Sequence, residues 1–305
     1  MIQVLSGARK ATLRNQLFYN AMVLPGIIFI VVFCYIPMSG IIMVFQDYSP
    51  AHGILGSKFV GLKHLSYIFT LSDSFRIFRN TLLIALGKIL LGTFLSICFA
   101  VLLNEIRISF FKKGIQTIVY LPHFLSWVVL ASVVVNMINF DGPVNHLIGS
   151  LGMAKINFLG DNRYFQPMLI LTDVWKEFGY NSVVYLAALT AIDPGLYEAA
   201  AIDGAGWFRN VWHITLPGIM SIIILMGAMS LANILNAGFD QVYNLYSPLV
   251  YETGDILDTY VYRAGLISLQ YSFATAVGLL KSVIGIILMM STNVAAERLT
   301  GQRIY

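Results

Sequence analysis

Apolar residues in this chain gather in long unbroken runs instead of alternating with polar ones. The first run, Leu17–Phe45, lies inside a stretch from Asn15 to Gln46 that holds no Asp, Glu, Lys or Arg. About 20 apolar residues in a helix cross the hydrocarbon layer of a bilayer, so this run predicts a membrane-spanning helix. Five further runs, Thr81–Leu103, Gly114–Ile138, Phe165–Ile192, Gly218–Phe239 and Phe273–Ala296, predict five more. The expected fold class is an all-α membrane protein with six spans. Arg9, Lys10 and Arg14 precede the first run as they would a secretory signal. The run is far longer than a signal's apolar core and no small-residue cleavage site ends it, so it is expected to stay as an anchor. Pro25 and Pro37 are expected to kink or trim it.

Composition sharpens this picture. The 305 residues are 58% hydrophobic and 11% charged, against roughly 25% charged in ordinary globular chains. Too little charge remains to cover a large soluble domain, or to make a disordered or nucleic-acid-binding chain, despite a net charge of +4. The basic excess reads better as an orientation signal. With the N-terminus inside, segments 1–16, 104–113, 193–217 and 297–305 carry nine Lys and Arg against five acids. The longer outside segments, 46–80, 139–164 and 240–272, carry seven against eight. That bias predicts both termini in the cytoplasm. The expected organisation is a cytoplasmic segment 1–16, a membrane domain 17–296 and a cytoplasmic tail 297–305. Cys34 and Cys98 sit in apolar runs, without a CxxC pair or a nearby His. They read as two small buried hydrophobes, not a disulfide or metal site.

The most informative stretch is the loop 193–217, between the fourth and fifth spans. Asp193 suits a helix N-cap and Pro194 the first helical position. Glu198, Ala199, Ala200 and Ala201 continue the helix, and Gly204 stops it. A second short helix, Trp207–His213, follows before Leu216-Pro217 opens the next span. Two short helices joined at a glycine make a compact knob that is too apolar to float alone. The small side chains of Ala199 and Ala200 let a partner's surface approach closely. The plainer alternative is an amphipathic helix lying on the membrane surface.

The spacing is Glu-Ala-Ala, three residues, Gly, nine residues, Ile, one residue, Leu-Pro, filled by Glu198, Ala199, Ala200, Gly204, Ile214, Leu216 and Pro217. It resembles the EAA loop of the permease subunits of binding-protein-dependent ABC importers. Phe59-Val-Gly-Leu-Lys-His64, Arg79-Asn-Thr81, Asp173–Asn181 and Tyr185-Leu-Ala-Ala-Leu189 resemble the sugar-importing branch. The segment Tyr246–Arg263 resembles the subset that imports oligosaccharides from complex polysaccharides, pectin- and alginate-like ones included. Lys281 departs from that pattern, where an uncharged residue is expected.

This resemblance implies the type I importer permease fold in the bacterial cytoplasmic membrane. It implies transport of a carbohydrate by alternating access, driven by two ABC ATPase subunits that bind ATP and Mg. It further implies a second, different permease and an extracytoplasmic solute-binding protein. The coupling residues it implies are Glu198, Ala199, Ala200, Asp203, Gly204, Ile214, Leu216 and Pro217. The chain itself has no Gly-x4-Gly-Lys-Ser/Thr phosphate loop, no His-Glu-x-x-His and no Gly-x-Ser-x-Gly elbow, so no catalytic residues and no cofactor are expected in it.

Charges inside the spans are costly unless paired or facing water. Asp173, Lys176 and Glu177 fall on neighbouring faces of one helix, with Trp175, Tyr180 and Asn181 nearby. They read either as a polar lining for a sugar path, with Trp175 and Tyr180 offering ring faces, or as an internal ion pair that orients the helix, or with the helix starting late enough to leave Asp173 at the interface. Asn233, Asn236 and Asp240 form a second polar stripe, for a path or for helix association. His123, beside Pro122, reads as repairing a kink. Lys88 and Lys281, with Lys176, favour an anionic sugar if they face a common cavity; otherwise they snorkel to headgroups. A proton- or sodium-driven secondary transporter using Asp173 and Glu177 is the rival reading.

Overall fold

The computed structural model describes residues 16 and 18–301. The segments 1–15 and 302–305 lie outside it, and with them Arg9, Lys10, Arg14 and Arg303 of the charge argument. The described chain is built almost entirely of helices. Five helical stretches, Phe18–Phe45 (α1), Ser72–Glu105, Trp127–Ser150 (interrupted at residues 139–142), Trp207–Ala232 and Tyr271–Arg298, are long and apolar enough to cross a membrane.

The path begins with α1, which makes a π turn at Val31–Tyr35 and ends in a tightened 3-10 stretch, Ser39–Phe45. Only its last turns pack into the chain. Its first two-thirds is exposed, Cys34 included, so that cysteine is not the buried hydrophobe expected from its neighbours. A small antiparallel hairpin follows, with Gln46 opposite Phe59 and Asp47 opposite Lys58. Next come α2 (Lys63–Thr70), the long α3 (Ser72–Glu105), α4 (Ser109–Tyr120), α5 (Trp127–Ile138) and α6 (Pro143–Ser150). Then follow α7 (Asn162–Leu189), α8 (Pro194–Ile202), α9 (Trp207–Ala232), α10 (Phe239–Leu245), α11 (Leu257–Tyr262) and α12 (Tyr271–Thr300).

Three of the predicted spans need correction. The run Gly114–Ile138 is not one helix: α4 stops at Tyr120, a 3-10 turn spans Leu121–Phe124, and Ser126 caps α5 by accepting from the Val129 amide. Pro122 accounts for the break, because it donates no hydrogen bond and its ring crowds the preceding turn. The run Gly218–Phe239 starts earlier, at Trp207, and ends at Ala232, so the expected separate helix Trp207–His213 is the first part of α9. A π turn at Val211–Thr215 marks the junction. Finally, α7 begins at Asn162, so Asp173 lies in mid-helix and not at an interface created by a late start.

Helices α3 and α7 make the most extensive helix pair, followed by α9 with α12. Ile84, Leu130, Phe165, Leu169, Val242 and Ile256 form the main core where α3, α5, α7 and the segments around α10 and α11 converge. A second cluster, around Ala100, Tyr185, Leu189 and Ile219, joins α3, α7 and α9 near the opposite ends of α3 and α7. A third, around Val44, Ile68, Phe273 and Val277, seats the end of α1 and α2 on α12.

Candidate functional site

Two features stand out: an exposed knob between α7 and α9, and a cleft between α3, α7 and the end of α9.

The knob begins where the sequence places it. The Asp193 carboxylate accepts from the Gly195 amide at 2.9 Å and Pro194 opens α8. Glu198, Ala199 and Ala200 occupy the middle of α8, and Asp203 is its C-cap. Gly204 follows with φ +73°. Its amide donates to Ala201 O at 3.1 Å and the Ala205 amide donates to Ala200 O at 2.9 Å. This pair of bonds closes the helix end and needs a left-handed residue at position 204, which a side chain disfavours. The Tyr197 hydroxyl then pairs with Thr215 Oγ1 at 3.1 Å, pinning α8 against the start of α9. Ile214 and Leu216 are half-buried at this junction, while Glu198, Asp203 and Pro217 are exposed. Ile202 is 87% exposed, Phe208 74% and Trp212 67%, an exposed apolar surface on which the Phe208 ring meets Trp207 edge-on. Tyr197 and the π turn are what sequence reasoning missed. Tyr197 sits beside the Glu-Ala-Ala signature, but its partner is 18 residues away and no local spacing announces it.

The cleft has a volume of about 260 Å³. Of the predicted path residues it gathers Asp173, Glu177, Asn181, Asn233 and Asn236, together with Lys88, Thr93 and Ser230. Asp173, Glu177 and Asn181 recur every four residues and so share one face of α7. Asn233 and Asn236 are not on a helical stripe as expected. They lie where α9 has unwound, in a run of turns that ends at Gly238 with φ +94°, and Asp240 is exposed on the next helix, α10. Unwound backbone at membrane depth is tolerated where it lines a cavity or is buried in protein.

Lys88 holds this break in place. Its ammonium donates to Ala237 O at 2.7 Å, to Asp173 Oδ1 at 3.2 Å and to Gln241 Oε1. Gln241 is fully buried, and its amide donates to Leu169 O at 2.7 Å and Thr172 Oγ1 at 2.8 Å. Gly238 is required twice here, by its φ and because an added Cβ would lie 2.8 Å from the Lys88 ammonium.

The remaining predicted residues are placed elsewhere. Lys176 is turned away from the cleft, donating to His123 O at 2.9 Å and Glu177 Oε1 at 2.7 Å. The other Glu177 oxygen meets His123 Nδ1 at 2.6 Å, and the His123 ring stacks on Tyr180 with centroids 3.8 Å apart. These four residues clamp the Pro122 break onto α7. Trp175 is half-exposed and does not line the cleft. Lys281 pairs with Asp258, which joins α12 to α11 and accounts for a charge where an uncharged residue was expected. Lys88, Lys176 and Lys281 therefore do not face one cavity, nor do they snorkel as unpaired charges.

Beyond the cleft, Asp255 is buried and pairs with Arg263, whose guanidinium lies 4.3 Å from the Tyr251 ring centroid. Burial opposes the Arg263 charge, but its hydrogen bonds to Asp255 prevail and hold its pKa above the ordinary value. Burial, helped by Tyr251, pushes the Tyr246 phenol up to about 12. At the hairpin, the hydrogen bond from Lys63 holds Asp47 below the usual carboxylate value.

A multi-helix membrane chain with an exposed helix-turn knob and a break-lined cleft is the build of a transport permease. The family model described as "Binding-protein-dependent transport system inner membrane component" matches residues 88–301. The chain belongs to that family and is an integral inner-membrane component of bacterial ABC importers, in the branch of carbohydrate permeases. It is 45% identical to the polygalacturonan/rhamnogalacturonan transport system permease protein YteP of Bacillus subtilis (strain 168), over 95% of this chain and 91% of that protein. It is 42% identical to the protein LplB of the same organism, over 94% and 91%. Its fold matches the crystal structure of a bacterial alginate ABC transporter in complex with an alginate pentasaccharide-bound periplasmic protein. That match has a TM-score of 0.87 and 36% identity, covering 96% of this chain and 98% of that one.

Proposed function

We propose that this chain is one of two permease subunits through which an ABC importer moves an oligosaccharide derived from a complex polysaccharide. The full-length likeness to a permease named for polygalacturonan and rhamnogalacturonan, and to an alginate transporter, carries the substrate class. The topology that goes with this reading has six spans and both termini inside. α7 is the fourth span: at 28 residues it is long enough to cross, and its charges Asp173, Lys176 and Glu177 are neutralised by pairing. The loop 193–217 then faces the cytoplasm. Its exposed Ile202, Phe208 and Trp212 are the apolar surface on which an ATPase subunit docks.

In this mechanism two ATPase subunits bind ATP with Mg and close, and their closure draws the knobs of the two permeases together. Glu198, Ala199, Ala200, Asp203 and Gly204 meet the ATPase; Ile214, Leu216 and Pro217 pass the movement into α9. A solute-binding protein delivers the oligosaccharide from outside, and the cleft at Asn181, Asn233 and Asn236 contacts it in transit. A secondary transporter using Asp173 and Glu177 has no support from the family, and both carboxylates are already held by lysines.

Two measurements test this. A tag on this chain should bring down two ATPase subunits and a second permease. Deleting the chain should abolish uptake of pectin- or alginate-derived oligosaccharides while sparing unrelated solutes. A chain that purifies alone and still transports, or a deletion that leaves uptake of the whole oligosaccharide panel intact, overturns it.

A further inference from the structure

The turn from α3 into α4 carries cations that the fold leaves unpaired. Arg107, Lys112 and Lys113 stand close together, and Glu105 is the sole acid between Asn104 and Leu121. The charged groups of all three cations make no ion pair or hydrogen bond among the described residues. Lys88, Lys176 and Lys281 differ in this respect, since each has a carboxylate beside it. Arg107 and Lys113 are exposed, while Lys112 is half-buried.

The surroundings of these charges are apolar. α4 packs on α7 by one face only: Val119 O lies against Gly179, where an added Cβ would come within 2.6 Å of it, and Ile115 and Gln116 are half-buried on the same side. The outward side presents Phe110, 80% exposed, then Gly114, then Ile118, 72% exposed. Residues four apart on a helix are neighbours. An added Cβ at Gly114 meets nothing within 4 Å, so a shallow dent separates the Phe110 and Ile118 side chains. Lys113 stands beside that dent, one turn into the helix. Helical side chains tilt toward the N-terminus of their helix, which carries the ammonium back toward Arg107. That end of α4 is also the end that bears the knob, because Ala100 and Val101 of α3 cluster there with Leu189 and Ile219.

We infer that the outward face of α4 binds an anionic phospholipid of the cytoplasmic leaflet, with Arg107 and Lys113 on the headgroup phosphate and an acyl chain over Gly114 between Phe110 and Ile118. Charge decides the headgroup: basic groups at the membrane surface favour anionic over zwitterionic lipid. The apolar dent decides the source, since a soluble anion gains nothing from Phe110 and Ile118. Lysine is suited to such a boundary, with its stem along apolar surface and its charge at headgroup level. The site rests on the topology proposed above, in which the loop 193–217 is inside.

The test uses the complete transporter in nanodiscs of phosphatidylcholine, doped with photoactivatable phosphatidylglycerol or with the matching photoactivatable phosphatidylcholine. Label on the segment 105–121 is measured by peptide mass spectrometry, without sugar or ATP. At low salt the phosphatidylglycerol label should exceed the phosphatidylcholine label about tenfold, with each outward cation contributing about fivefold and Glu105 offsetting part. Arg107→Gln with Lys113→Gln should bring the two labels within about twofold of each other. High salt should do the same to wild type, because exposed charges are screened. Gly114→Leu fills the dent and should lower both labels without changing their ratio. Equal labelling of wild type by both lipids overturns the inference, as does a preference that survives the double variant or high salt. So does Lys112→Gln removing as much of the preference as the double variant, since Lys112 is on the side toward α7. A segment that takes no lipid label and cross-links to a protein subunit also overturns it and leaves the transport reading standing. Labelling of the knob by an impermeant reagent from outside intact cells fails the topology itself, and the inference falls with it.

Discussion

Gly204 offers a graded test of the coupling role proposed for the knob. An added Cβ at this position meets nothing within 4 Å, so a substitution acts only through the backbone at φ +73°. Holding an L-residue in that conformation costs roughly 1–2 kcal/mol, with Asn penalised least. We therefore expect Asn to cost well under 1 kcal/mol, Ala about 1 and the β-branched Val about 2. If the turn opens to relieve the strain, it gives up the two closing bonds, Gly204 N to Ala201 O and Ala205 N to Ala200 O. Each of these contributes about 1 kcal/mol. A bias of about 2 kcal/mol shifts the closed turn against its open forms about thirtyfold. The assay is the ratio of oligosaccharide imported to ATP hydrolysed by the reconstituted complex. Coupling should fall in the order Gly, Asn, Ala, Val, while the thermal midpoint of the complex barely moves, because the knob is exposed. Wild-type coupling in the Val variant, or an Asn variant as poor as Val, would refute the reasoning.

Tyr197→Phe removes only the hydroxyl that pairs with Thr215. It should loosen α8 by about 1 kcal/mol and reduce the same import-to-hydrolysis ratio, with normal membrane insertion on a fractionation blot. Asp255→Asn leaves Arg263 half-buried without its counter-charge and should cost about 3 kcal/mol, read as a lowered midpoint in thermal denaturation; an unchanged midpoint contradicts the pairing. Tyr246 titrates at about 12 in the folded chain against an ordinary value of 10.0. Its burial thus contributes stability that is complete below about pH 10 and lost as pH rises toward 12. Tyr246→Phe should flatten that decline in an alkaline denaturation series, and an identical slope in both proteins rejects the assignment.

The membrane character and the knob were legible in the sequence because both depend on local pattern. A span is a run of apolar residues, and the α8 cap, helix and stop fall within a dozen consecutive positions. The cleft was legible only in part. Asp173, Glu177 and Asn181 recur at helical spacing, so one face of α7 could be read directly. The unwinding after Ala232 was hidden because Asn233 and Asn236 stand at helical spacing among apolar neighbours and the Gly238 that ends it looks like any glycine in a span. Lys88 finds Asp173 and Gln241 at separations of 85 and 153 residues, and Lys281 finds Asp258 at 23. Pairing across such distances is set by how helices pack, and nothing in either residue's neighbourhood signals it. His123 is the sharpest case: it sits beside a proline that explained it well enough, yet its ring and carbonyl tie Glu177, Tyr180 and Lys176 together.

The π turn at Val211–Thr215 bears on how this protein can change. Each residue of an α-helix advances the chain by about 100° around its axis, and a π turn lodges one residue beyond that regular count. The turn therefore absorbs one residue that the helix on either side does not need, and the two sides keep the relative phase of an unbroken helix. Deleting one of its five residues should restore an ordinary helix with the knob aimed as before. Losing or gaining a residue in the regular helix beside it would instead swing the knob about 100° around α9. The π turn is thus a place where this helix tolerates a change of length without re-aiming the knob.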